Sequence, residues 1–98
     1  MSKEQFSESL QAVLREMCTR VGADYDSTDF SNPEWYTKYE WTEQEENQFE
    51  DWIVNYLYKN TKARREIMNS QIKKKSYLKK VAREFTFQYG WSFVKEKI

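Results

Sequence analysis

The sequence predicts an all-α fold, a small bundle of three long helices plus one or two short ones, in a single domain over residues 1–98. Three observations carry this expectation. Apolar residues recur at i, i+3/i+4 and i+7 along three stretches of the chain. Glycine occurs twice and proline once, too few for the turns of a small sheet domain. Capping residues stand where those periodic stretches begin and end.

The first helix is expected from Ser2, with Gln5 three residues on as a capping box. Phe6, Leu10, Val13, Leu14 and Met17 form its apolar face, and Gly22 stands where a C′ glycine ends a helix. The second helix opens on a Thr42–Glu45 capping box, with further acids in the first turn, where the helix dipole favours them. Phe49, Trp52, Ile53, Tyr56 and Leu57 make a core stripe; Val54 and Tyr58 lie on another side of the same helix. Two apolar sides suit a central helix, or one with a partner. Asn60 is a candidate left-handed cap. Thr61 can start a short helix carrying Ala63, Ile67 and Met68, broken at Asn69–Ser70. The last long helix is expected from about 71–76 to Tyr89, on Leu78, Val81, Ala82 and Phe85, and Gly90 ends it. Residues 91–98 form a tail whose Trp91 and Phe93 can fold back onto the core. Residues 23–41 make a long connection, with a short helix beginning at Asn32–Pro33.

Charge is segregated. Residues 1–61 hold five basic and thirteen acidic side chains, a balance of −8; residues 62–98 hold eleven and three, a balance of +8. That asymmetry points to a polyanion-facing surface, or to parts that attract each other or a partner. Only thirteen residues are Val, Ile or Leu against seventeen Phe, Trp or Tyr, so rings must fill much of the core and some remain outside it.

Several chemistries are excluded. With no histidine, neither a Ser-His-Asp triad nor a Cys-His dyad can be assembled. Cys18 stands alone, which forbids an internal disulfide, fits a reducing cytoplasm and reads as a packed thiol. No glycine-rich phosphate loop exists. Asp24, Asp26 and Asp29 begin like a calcium-binding loop, but Asp29 replaces the required glycine and Trp35 the terminal glutamate. No metal and no cofactor are therefore expected, and no apolar run is long enough to span a membrane.

Two surfaces remain as candidates. The leading one is aromatic and acidic, with Trp35, Tyr36 and Tyr39 as anchors rimmed by Glu34 and Glu40. Trp and Tyr dominate interface hot spots, so this reading is a non-enzymatic protein-binding module. An accessory or inhibitory role, of the kind small proteins of phages and mobile elements play, suits that composition. The alternative is nucleic-acid binding through the basic segment 62–83, using Arg64, Arg65, Lys73, Lys79, Lys80 and Arg83 with Phe87 among them. Acidic and basic faces on one chain also suit a homo-oligomer.

Overall fold

The computed structural model describes residues 3–98, Glu4 by its backbone alone, and every regular element among them is helical. Helix α1 is Glu8–Val21, α2 is Glu43–Lys59, and α3 is the single turn Thr61–Ala63, which continues into a π-helical turn, Arg64–Met68. Helix α4 is Lys75–Phe87 and α5 is Trp91–Val94. Three 3-10 turns complete the order, at Lys3–Gln5, Pro33–Thr37 and Lys95–Lys97. Extents of 33 × 31 × 18 Å describe a slab two helices thick.

Helices α1 and α4 are shorter than their periodic patterns suggest. Ser2, the expected first cap, lies outside the described residues. Ser7 caps α1 instead, its hydroxyl accepting from the Leu10 N–H at 3.2 Å, while Lys3–Gln5 forms a separate turn. The carboxylate of Glu66 adds a second cap across the fold by accepting from the Ser9 N–H at 3.2 Å. That bond holds the Glu66 carboxyl below its ordinary range. Helix α4 stops at Phe87 because Tyr89 and Gly90 both turn to positive φ, 50° and 79°. The Gly90 N–H then closes the end on Phe85 O at 2.7 Å. At the C-terminus of α1, Gly22 adopts the expected left-handed conformation, φ 77°.

The Thr42–Glu45 capping box of α2 is complete in both directions. Its far end differs from expectation. Asn60 is extended, at φ −127°, and its side chain caps α3 by accepting from the Ala63 N–H. The left-handed residue is Asn69, φ 53°, which ends the π turn. Arg64 closes α2 in place of Asn60: one guanidinium nitrogen donates to Leu57 O and Tyr58 O, at 2.8 and 2.9 Å, and the other to Thr61 Oγ1. A cation at that end also suits the helix dipole.

Buried residues of α1 to α5, with Phe6, Tyr25, Phe30, Trp35 and Tyr89 from the segments before and between them, form one contiguous core. Helices α2 and α4 pack most extensively against each other, and α1 lies against residues 61–68. Leu10, Val13, Leu14 and Met17 meet Phe49, Ile53 and Leu57 and the Leu78–Phe85 face of α4 in this core. Trp52 is a correction: it is half-buried, stacked between Phe49 and Tyr56 along the flank of α2. The tail folds back as expected, with Val94 fully buried and Phe93 stacked on Phe85 at 5.3 Å.

Candidate functional site

The 22–42 connection serves the core first. Tyr25, Phe30 and Trp35 are all buried; Phe30 packs edge-on to Phe6 and Trp35, and Trp35 packs edge-on to Tyr89. Because aliphatic residues are scarce, these rings supply the bulk that covers the α1 end of the slab. Trp35 is only 4% exposed, which removes it as a surface anchor. Tyr36 and Tyr39 are half-buried, the first against Trp91 and the second against Tyr89. Glu34 and Glu40 are exposed beside them. Tyr89 ties the whole segment down: its hydroxyl donates to Tyr39 O at 2.7 Å, and Trp41 stacks on its ring at 5.1 Å.

Two aspartates of this segment hold its turns. Asp24 O accepts from the Thr28 hydroxyl, and Asp29 accepts from both the N–H and the hydroxyl of Ser31. Those two bonds lower the Asp29 pKa. Among the described residues no three carboxylate or thiol groups converge as a metal site would require. Cys18 is buried, and loss of solvation pushes its thiol up, away from a reactive thiolate.

The outward groove between α2 and α4 is more distinctive. Glu46, Glu50, Val54 and Tyr58 succeed one another at four-residue steps on α2; Lys75, Lys79, Arg83 and Phe87 do so on α4. Residues four apart share a helix face. Three pairings align the two stripes: Phe87 shares a groove with Glu46 and Glu50, Arg83 Nε lies 3.7 Å from Glu50, and Lys75 Nζ lies 6.0 Å from the Tyr58 ring centre. The stripes therefore run antiparallel along one seam. At one end an aromatic of α4 faces acids of α2. At the other an aromatic of α2 faces lysines at and just before the start of α4.

The acidic end is a groove of about 620 Å³, lined by Glu46, Glu50, Glu84, Arg83, Phe87 and Lys95 among others. Phe87 is 81% exposed there. Burial pushes the Glu50 carboxyl up, against the opposing pull of Arg83 and with Glu46 adding to the rise.

At the basic end Tyr58 is 44% exposed, with Lys73 and Lys75 Nζ at 5.8 and 6.0 Å from its ring centre.

The basic segment is thus divided three ways, and three of its expected members change role. Arg64 is 3% exposed and donates to Leu57 O, Tyr58 O and Thr61 Oγ1, so it presents no charge to a polyanion. Phe87 belongs to the acidic end of the seam, and Arg83 pairs with Glu50 beside it. Arg65, Lys73, Lys79 and Lys80 are exposed as expected, together with Lys74 and Lys75. Among the described residues none of these six has a carboxylate within ion-pair distance; the pairs formed are Arg20–Glu16, Lys62–Glu8 and Arg83–Glu50.

Taken on α4 alone, Phe87 falls on the basic arc, and nothing in the sequence of either helix singly brings Glu46, Glu50 or Tyr58 into a site. The matching four-residue steps on the two helices were the available signal, but their alignment depends on how α2 and α4 pair. No family model, no curated protein and no solved structure matches the chain.

Proposed function

We propose that the chain is a non-enzymatic protein-binding module whose partner engages the acidic end of the α2–α4 seam. The observation that carries this is Phe87, 81% exposed in a groove where Glu46, Glu50 and Glu84 outnumber Arg83 and Lys95. A single exposed apolar residue is ordinary. A phenylalanine standing in a groove with a charged rim has the anatomy of an interface anchor. Acidic walls select a partner segment that carries an apolar side chain flanked by Lys or Arg, and oppose an acidic one. The half-buried Glu50 gains most from such a cation, since Arg83 stands at 3.7 Å and is itself largely in solvent. Tyr36 and Tyr39, with Glu34 and Glu40, take a lesser part because their rings are already packed on Trp91 and Tyr89.

Photo-crosslinking tests the proposal in the cells that make the protein. A benzophenone side chain at position 87 should give a discrete adduct with a second protein. That adduct should vanish in a Glu46→Lys/Glu50→Lys background, in which the groove repels a basic segment. Adducts from position 36 but none from position 87 would move the interface to the 33–41 segment. An adduct insensitive to the charge reversal would remove the electrostatic part of the proposal.

A further inference from the structure

We infer that the basic end of the seam binds single-stranded nucleic acid, with Tyr58 as a stacking platform and Lys73 and Lys75 as phosphate contacts. This surface is separate from the Phe87 groove, and neither depends on the other.

Four observations converge on it. Tyr58 keeps 44% of its surface in solvent although it sits on the helix that supplies much of the core. Two ammonium groups stand at the outer range of cation–π attraction, 5.8 and 6.0 Å from its ring centre. They are close enough to cross to a phosphate beside a stacked base, and loosely enough held to do so. Lys74, Lys79 and Lys80 continue the charge along α4, and among the described residues no carboxylate neutralises these lysines. Finally, Lys73–Lys75 place three cations at the start of α4, where the helix dipole favours anions, and Lys74 makes no side-chain capping bond. The helix dipole opposes that arrangement. A bound polyanion would turn the mutual repulsion of these lysines into attraction.

The ring decides which polyanion. A duplex hides its base faces, leaving Tyr58 nothing to stack on. One tyrosine on a polar face offers little apolar area to a bilayer. Unpaired bases present exposed π-faces to an aromatic, with cations beside it for the backbone.

The test is fluorescence anisotropy of the full chain with a labelled oligothymidine of about 20 nucleotides, titrated at KCl concentrations from about 50 to 200 mM. The same sequence as duplex and vesicles rich in anionic lipid run alongside. The wild type should bind the single strand more tightly than the duplex, with affinity falling steeply as salt rises. Lys73→Glu/Lys75→Glu should weaken binding and lower the slope against log salt by about 1.4, the counterions of two phosphates. Tyr58→Ala should weaken binding by roughly 5- to 150-fold at an unchanged slope. Tyr58→Phe keeps both the ring and its packing, and should stay within about twofold of wild type. Absence of binding at the lowest salt, equal affinity for duplex and single strand, or binding to vesicles alone would each overturn the inference. So would a Tyr58→Leu protein, shown folded by circular dichroism, that binds like wild type.

Discussion

Arg64 shows how a charged residue becomes part of the core. Three donated bonds join its guanidinium to the last carbonyls of α2 and to Thr61, and its aliphatic stem passes through buried surroundings. Replacing it with Met retains the stem and strands two buried carbonyls. Arg64→Met should therefore cost about 3 kcal/mol, measured by chemical denaturation. A loss below about 1 kcal/mol would show these bonds to be replaceable by water. The two glycines offer a second contrast. Both have positive φ, but a Cβ on Gly22 meets nothing within 4 Å, whereas one on Gly90 meets the Phe85 ring at 2.7 Å and Leu14 at 3.1 Å. Gly22→Ala should cost about 1 kcal/mol from the backbone alone. Gly90→Ala adds a collision with two core side chains and should cost about 3 kcal/mol. Equal losses at the two positions would contradict the close packing of the α4 turn on α1.

Among the elements, α1, α2 and α4 are legible in the sequence because each carries a sustained 3.6-residue pattern with a cap at one end or the other. Their ends were less so. Ser2 is the cap the sequence suggests, whereas Ser7 caps the helix and the Glu66 carboxylate, 57 residues from the Ser9 N–H it accepts, reinforces that later start. Asn60 reads as the cap that ends α2 but caps α3 instead, and Arg64 supplies the C-terminal partners of α2. The candidate site was legible only in kind. Aromatic rings beside acids pointed to a protein interface, but Trp35 was drawn into the core because no aliphatic residue was there to fill its place. The seam could not be read from either helix singly, since its two ends exist only once α2 and α4 are set antiparallel. Tyr89 is where the connection and α4 meet. Burial, with Glu40, Glu45 and Glu46 nearby, pushes its hydroxyl up to about 12 from an ordinary 10. The unfolded chain releases this proton near pH 10 and the folded one near pH 12. Stability carried by the protonated hydroxyl is thus complete below the lower value and is lost as pH rises between the two. Tyr89→Phe, with no proton to lose, should flatten that alkaline decline; Tyr25, raised in the same direction by its own burial, should leave a remainder. A decline of unchanged steepness would place its origin elsewhere.

At the scale of the whole molecule, the opposite charges of the two halves do not cancel by pairing. Only Lys62–Glu8 and Arg83–Glu50 join the halves among the described ion pairs. Along the α2–α4 seam the exposed charge is sorted into a mainly acidic end with Phe87 and a basic end with Tyr58. Long-range attraction between the halves can still help the chain collapse, but at moderate salt it is largely screened for exposed groups. What persists is a seam with two ends: Phe87 among three acids and two cations, and Tyr58 beside lysines.

The central claim is that Phe87 is unused by the fold and available to a partner. Chemical denaturation of Phe87→Ala beside Phe85→Ala tests it most directly. These neighbours on α4 have the same side chain, one 81% and the other 1% exposed. Phe85→Ala should lose about 3–5 kcal/mol, as a buried phenylalanine does. Phe87→Ala should stay within about 0.5 kcal/mol of wild type. A loss of about 2 kcal/mol or more at Phe87 would mean that the ring is packed in the folded protein, and the groove would then hold no anchor to offer.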